Sequence, residues 1–344
     1  MNQRIRPMNR LGIGTVLTVL FLAVAATPGW AASQRTRELL VVEKGNAEQL
    51  AIIDPVRLKV LARIPAGADP HEVIASSDGT RAYVSNYGGS GSDLHTITVI
   101  NLLTRKALLP IDVAPLHSAH GLDFAGGELY FTAETNRVVA RYNPTTRRVD
   151  WIMGTGQDRS HMIMVGNDEV FVSNPASGTV SIIQQTRLTT VPAGKGSEGF
   201  DVSPDGRQLW TANAGVDSVT VIDVATRKAT ETFPIPVQNA NRLKFTPDGR
   251  YVLVSGLGEP GERSVGGPNN LLILDARTHA IVKRLDLGAG AAGILMDPAR
   301  HQAFVAVSGG NALAVVDLNG FRVTGVIKGL ESPDGMAWAL VPRG

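Results

Sequence analysis

The chain of 344 residues contains no cysteine, and only 5% of its residues are aromatic. Without cysteine it can form no disulfide, carry no thiol-linked lipid and attach no haem through a C-x-x-C-H motif. The absence of cysteine is compatible with export and does not establish it. The few aromatic residues stand beside 37 glycines, a balance typical of tight turns and closely packed sheets.

The motifs of several enzyme classes are also missing. The sequence contains no G-x-S-x-G elbow, no H-E-x-x-H pair, no EF-hand loop and no P-loop. Residues 256–261 match G-x-G-x-x-G, but Gly266, Gly267 and Pro268 follow where a dinucleotide-binding motif needs a helix. We therefore predict no nucleotide and no haem cofactor.

The basic excess of the chain lies at its start. Lysine and arginine number 33 against 31 acidic residues, and Arg4, Arg6 and Arg10 precede an apolar run over 11–26 and small residues at 28–31. This pattern predicts a Sec-type signal peptide over residues 1–31, cut after Ala31. An uncleaved anchor is the alternative, although the apolar run is short for a spanning helix.

Without residues 1–31 the chain carries 30 basic against 31 acidic residues. Such a balance predicts neither nucleic-acid binding nor, after signal cleavage, attachment to an anionic membrane. We predict a periplasmic or secreted monomer with one domain over residues 32–344. Its expected partner is a small-molecule ligand or substrate, or a periplasmic protein.

A strand-like segment that ends in a polar residue occurs seven times. The copies are LAIID, TVIN, VARYN, VSIIQ, VTVID, LLILD and LAVVD, at intervals of 39 to 52 residues. The best-defined unit, residues 197–233, reads as four short strands with a Pro204-Asp205-Gly206 turn. Four strands per unit at this period predict an all-β, seven-bladed β-propeller of four-stranded antiparallel blades.

The second strand of the unit also recurs, as RAYVSN, EVFVSN, QLWTAN and YVLVSG. With SPDGR, TPDGR and VTVID, these segments resemble the YVTN-repeat, YncE-like family of seven-bladed propellers over about residues 38–341. The resemblance implies the fold more than the function. Related propellers include virginiamycin B lyase and bacterial lactonases, in which a metal or a His/Glu pair at the axis acts on a cyclic ester. Other YncE-like proteins are non-catalytic, and similar propellers occur in the haem-d1 and copper enzymes of denitrification.

The first blade is incomplete at the N-terminal side. Residues 38–42, 50–53 and 59–64 give three strands, so the innermost strand is expected from residues 335–340. A ring closed in this way has no free edge between its first and last blades.

One polar position recurs at the start of the innermost strand, 14 to 19 residues after each closing residue. In ring order this column consists of Asp334, His71, His120, His161, Glu198, Asn241 and Ala292. Because innermost strands surround the axis, we expect these side chains to converge at one mouth of the central channel.

Three interpretations of this column of residues remain open. His71, His120, His161 and Glu198 could hold one divalent metal ion. The same four residues, with Asp334 as a supporting or basic group, could instead catalyse by proton transfer. The third reading is a solvated polar rim with no chemistry.

Three more residues are candidates for ligand binding: His117, Asn241 and Arg242. Arg242 could bind an anion near the channel or be a cation on the protein surface, and the surface position is the favoured interpretation. Two long loops, 86–95 and 256–270, are either lids over the mouth or tolerated insertions. The resemblance to lyase and lactonase propellers implies a metal-dependent lyase or lactonase-like hydrolase that acts through this column. A non-catalytic ligand-, metal- or protein-binding propeller and an accessory to a periplasmic redox system are the alternatives.

Overall fold

The computed structural model describes residues 35–258, 270–297 and 299–343. The predicted signal peptide and most of the second long loop (259–269) lie outside these residues. Within them, no helix has the length and hydrophobicity that crossing a membrane requires.

The described residues form seven antiparallel sheets that follow one another along the chain, as the repeat predicted. The strands of blades 1 to 4 are β1 Arg35–Glu43, β2 Gln49–Asp54, β3 Lys59–Pro65; β4 Pro70–Ala75, β5 Arg81–Asn86, β6 Thr96–Asn101, β7 Lys106–Ala107, β8 Ile111–Asp112; β9 Ala119–Ala125, β10 Glu128–Ala133, β11 Val138–Asn143, β12 Arg148–Gly154; β13 Ile163–Gly166, β14 Glu169–Asn174, β15 Thr179–Gln184 and β16 Arg187–Pro192. The strands of blades 5 to 7 are β17 Ser197–Val202, β18 Gln208–Asn213, β19 Ser218–Asp223, β20 Lys228–Pro234; β21 Ala240–Phe245, β22 Tyr251–Gly256, β23 Leu271–Asp275, β24 Ile281–Leu285; β25 Ile294–Asp297, β26 Gln302–Val307, β27 Ala312–Asp317 and β28 Arg322–Lys328, with a 3₁₀ turn at Ser308–Gly310. The last strand, β29 Pro333–Pro342, belongs to blade 1.

Local chemistry sets the tight turns within each blade. In blade 5, Asp205 accepts hydrogen bonds from Ser203 Oγ at 2.6 Å and from the Arg207 amide at 3.1 Å. Gly206 supplies the positive φ of 73° that this turn requires. The aspartates of these turns are therefore structural, as the sequence indicated.

The core is continuous around the ring because each middle strand is buried on both faces. In β2, the residues from Leu50 to Ile53 are fully buried, whereas the outermost strand β20 is mostly exposed. One apolar cluster joins Leu39 and Ile53 of blade 1 to Phe304 of blade 7. Each blade thus buries the face that its neighbour leaves open.

The predicted ring closure is confirmed. Strand β29 pairs with β1 in antiparallel register, with Leu39 opposite Trp338. The Arg37 guanidinium lies 3.6 Å from the centre of the Trp338 ring and also pairs with Asp297 of blade 7. Both ends of the described chain therefore stabilise the same seam.

Candidate metal and ligand site

A glycine follows the column residue in four blades, and close approach of neighbouring strands explains it. A Cβ atom on any of these glycines would lie 2.3 to 2.5 Å from the carbonyl oxygen of the next blade's column residue. The four are Gly121, Gly199, Gly293 and Gly335. No side chain fits in that space, so glycine lets the innermost strands converge.

Hydroxyl groups of the second strands then fix the column residues. Thr132 Oγ1 accepts a hydrogen bond from the Gly121 amide at 2.9 Å and donates one to the His161 carbonyl at 2.6 Å. Ser173 donates to the Glu198 carbonyl at 2.6 Å, and Ser255 to that of Ala292, also at 2.6 Å. In these three cases, a hydroxyl of one blade positions the column residue of the next.

The three column histidines lie together at the channel mouth. The rings of His120 and His161 stack with centroids 3.7 Å apart, and His71 lies 5.3 Å from His120. Tyr87, from the first long loop, packs edge-on against His71 at 4.8 Å and His120 at 4.7 Å. The loop over 86–95 therefore contributes directly to this site.

Glu134, which follows β10, is a site residue that the sequence did not predict. It accepts a short hydrogen bond from His161 Nδ1 and bonds at 2.6 Å from both the Tyr87 hydroxyl and Ser90 Oγ. Burial would raise the pKa of Glu134, but these donors, His161 first, lower it overall. A carboxylate held in this way fixes the orientation of the His161 ring.

On its other side, His161 Nε2 lies 2.7 Å from Glu198 Oε1, without the alignment of a hydrogen bond. Burial alone would lower the pKa of His161, but Glu198 and Glu134 raise it overall. Burial and the neighbouring histidines hold the pKa of His120 well below its usual value, which keeps that imidazole neutral. His161 is therefore the more basic ring of the stacked pair.

A second cluster faces the histidine stack. Lys44 Nζ lies 2.8 Å from Asp334 Oδ2 and 3.1 Å from His71 Nε2. Burial would raise the pKa of Asp334, but Lys44, Arg242 and His71 lower it to about 2. Because the ammonium donates to Nε2, that nitrogen of His71 is not free for a metal, which differs from the predicted four-residue ligand set.

The surface reading favoured for Arg242 is wrong, because this residue is 8% exposed and lies inside the channel. Its NH2 donates to Glu72 Oε1 at 2.7 Å, and its NH1 lies 3.8 Å from Glu198 Oε1. Asn241 beside it is also buried. The sequence could not show this, because Glu72 is 170 residues away.

His117 lies apart from the other candidates. Its ring contacts the backbone of Asp93 and the ring of His95, and it does not line the cavity at the channel mouth. Three residues in a turn are enough to move a side chain from the axis to the outer rim, so nearness to His120 in sequence was a poor guide.

These residues surround a cavity of about 260 Å³. Its wall includes the three column histidines, Glu198, Asn241, Arg242 and Asp334, and also Lys44, Arg159 and Leu257. Ala292, the apolar member of the column, lines the opposite side. All seven column positions therefore border one space, where they are available to one ligand.

One group in this wall could hold a metal ion. Ligand atoms of His120, Glu134 and His161 lie within 4.8 Å of one another, and all three side chains are buried. Imidazole and carboxylate bind Zn²⁺-like ions at about 2.0–2.2 Å, so small side-chain movements would close the site. The neutral state of His120 suits a ligand, since a metal requires the unprotonated ring.

No protein-family model and no curated protein matches the chain. Solved structures match it in fold. A functionally unknown protein from Desulfotomaculum acetoxidans DSM 771 aligns with a TM-score of 0.70 at 15% identity, over 90% of this chain and 100% of that one. Kuenenia stuttgartiensis hydrazine synthase aligns with a TM-score of 0.61 at 21% identity, over 73% of this chain and 77% of that one. The dihydro-heme d1 dehydrogenase NirN in complex with DHE aligns with a TM-score of 0.58 at 15% identity, over 87% of this chain and 74% of that one. At these identities the likeness shows the propeller fold alone.

Proposed function

We propose that this protein binds a divalent transition metal at His120, Glu134 and His161 and uses it for hydrolysis or elimination on a small molecule. The buried group of two imidazoles and a carboxylate beside a polar cavity carries this proposal. When bound, such an ion polarises a carbonyl oxygen or acidifies water. The lyase and lactonase propellers named above support the same type of chemistry by resemblance.

The residues around the proposed metal ligands orient the His161 ring. His161 bonds Glu134 through one ring nitrogen and faces Glu198 at 2.7 Å through the other. With a metal at the Nδ1 side, Nε2–H would point at Glu198, an arrangement that orients metal-binding histidines in many proteins. Glu198, whose pKa burial would raise but His161 and Arg242 lower to about 2, is then the anion that stabilises this ring.

The metal content of the purified protein tests the proposal. We expect one ion per chain after exchange against Zn²⁺, Mn²⁺ or Co²⁺ and desalting, because three buried ligands release an ion slowly. His120→Ala and His161→Ala should each lower retention at least tenfold. His117→Ala is the matched control, since this histidine lies on the same side of the ring outside the cavity, and it should retain the ion.

A metal-free binding site is the second candidate, in line with the non-catalytic YncE-like proteins. The observation that favours it is the saturation of Glu134, whose oxygens already accept from His161, Tyr87 and Ser90. If the folded wild-type protein binds no ion under any of the loading conditions, the metal proposal is wrong and the metal-free binding site remains. Export to the periplasm and the redox-accessory role remain proposals from sequence. At 15–21% identity, the neighbours' names add no cofactor.

A further inference from the structure

Buried polar atoms without a hydrogen-bond partner are concentrated in the cavity. Among the described residues, seven buried side-chain nitrogen or oxygen atoms lack one, and five of these belong to its wall. The five atoms are His120 Nδ1, Arg159 Nε, His161 Nε2, Asn241 Oδ1 and Arg242 NH1. A buried polar group without a hydrogen bond destabilises a fold, so a ligand that bonds these atoms would be bound favourably.

Among the five atoms, obligate donors outnumber obligate acceptors. The two guanidinium nitrogens, Arg159 Nε and Arg242 NH1, can only donate, whereas Asn241 Oδ1 is the single obligate acceptor. A complementary ligand therefore presents mainly acceptor oxygens. Guanidinium groups bind carboxylates through paired N–H···O bonds. Arg159 and Arg242 line the same cavity, and a carboxylate bound by both would be clamped between them.

The charges around the cavity favour the same ligand class. Four buried or half-buried carboxylates, Glu72, Glu134, Glu198 and Asp334, face three cations, Lys44, Arg159 and Arg242. These seven groups together carry one net negative charge. With a divalent ion bound and the imidazoles neutral, as a metal requires, the site would carry one net positive charge, which a single anionic group neutralises.

Arg159 is present where the backbone alone would favour a smaller residue. It adopts a left-handed φ of 57° two positions before His161, and Gly196 takes the corresponding position before Glu198 with φ of 77°. A left-handed backbone conformation is less favourable for any residue with a Cβ atom than for glycine. Its side chain lines the cavity, with Nε 3.6 Å from Glu134 Oε2.

We propose that the cavity takes a small organic monocarboxylate, with its carboxylate between the Arg159 and Arg242 guanidinium groups. The volume of about 260 Å³ holds roughly eight or nine waters at about 30 Å³ each, so the ligand is smaller than a nucleotide. The inference rests on the proposed function, because the charge balance includes a bound divalent ion.

Isothermal titration of the metal-loaded protein with matched acids and amides tests the proposal. The probes are acetate, lactate and benzoate against acetamide, lactamide and benzamide, at constant ionic strength. We expect at least one acid to bind tenfold or more tightly than its amide. Inorganic phosphate, a dianion at pH 8, should bind more weakly than that acid.

Two variants assign the clamp. Arg159→Gln should weaken binding of the acid about tenfold or more, as expected for loss of a hydrogen bond to a charged group. The double variant Arg242→Gln/Glu72→Gln, which leaves no buried charge unpaired, should do the same. Arg137→Gln, an exposed arginine paired with Asp158 at 2.8 Å, is the control and should bind normally.

Equal binding of acid and amide, no binding of any acid at 50 mM, or unchanged affinity in both variants would overturn the carboxylate assignment. Metal content is measured on the same samples. Metal without carboxylate binding rejects this inference and leaves the proposed function intact. Carboxylate binding that depends on Arg159 in protein unable to hold metal rejects the proposed function and keeps the clamp.

Discussion

Asp334 and Lys44 form a buried ion pair whose contribution depends on pH. The pKa of Asp334 is lowered to about 2 from its ordinary value of 3.8. A carboxyl whose pKa is lower in the folded state stabilises the fold above the unfolded pKa and loses that effect as pH falls through the folded pKa. Its stabilisation is therefore complete above about pH 4 and lost between pH 4 and 2.

We predict that Asp334→Asn lowers the free energy of unfolding by about 2–3 kcal/mol at pH 7, from a pKa shift of nearly two units at about 1.36 kcal/mol each. The difference from wild type should shrink towards pH 2. Urea unfolding across this range measures it, with the exposed Asp286→Asn as control. A difference that does not change with pH would contradict the assignment of the pKa to this pair.

The repeat alignment predicted the column residues, because each blade places the same position at the axis. It did not predict Glu134, which lies one residue beyond the second strand. Tyr87, Pro175 and Ala214 take that position in three other blades, so an acid there was a signal that could have been used. Lys44 takes the same position in blade 1, one residue beyond β1, and Arg159 lies two residues before His161 as Gly196 does before Glu198. The repeat alignment could therefore have pointed to both of these cations as well.

The innermost strands depend on glycine at four close contacts. We predict that Gly199→Ala destabilises the protein by about 1–3 kcal/mol, because its Cβ would lie 2.5 Å from the Asn241 carbonyl oxygen and force neighbouring strands apart. Thermal unfolding measures the change. Gly166→Ala, with nothing within 4 Å of the added carbon, is the matched control. If the two variants melt alike, close strand contact does not explain the glycine.

The period of the strands was readable from sequence because turn signals and β-branched runs alternate regularly. The outer strand of blade 2 departs from that pattern. It is split into β7 and β8, which both pair with β6. Pro110 lies between them and has no amide hydrogen to donate, so the ladder breaks there.

Closure of the ring by β29 predicts a strong effect of truncation. A chain that ends at Ser332 lacks the innermost strand of blade 1 and exposes the apolar faces of Leu39 and Val41. We expect the full chain to unfold in one cooperative transition and the truncated chain to lose it, as measured by calorimetry or denaturant titration. A truncated protein that melts like the full chain would contradict closure.

The chemistry of the molecule could be predicted only in part, because it arises from contacts between distant blades. Sequence alone suggested histidines and carboxylates near one axis. It could not show that Arg242 pairs with Glu72, or that Lys44 occupies the nitrogen of His71 that a metal would need. Those pairings decide which residues are free to bind.

A crystal structure of the cobalt-loaded protein, with diffraction data on both sides of the cobalt absorption edge, tests the metal proposal most directly. We predict one anomalous peak at the channel mouth, about 2.0–2.2 Å from a nitrogen of His120, a nitrogen of His161 and an oxygen of Glu134. A map without a peak there, or with cobalt bound only at surface histidines such as His95 and His117, would contradict the account.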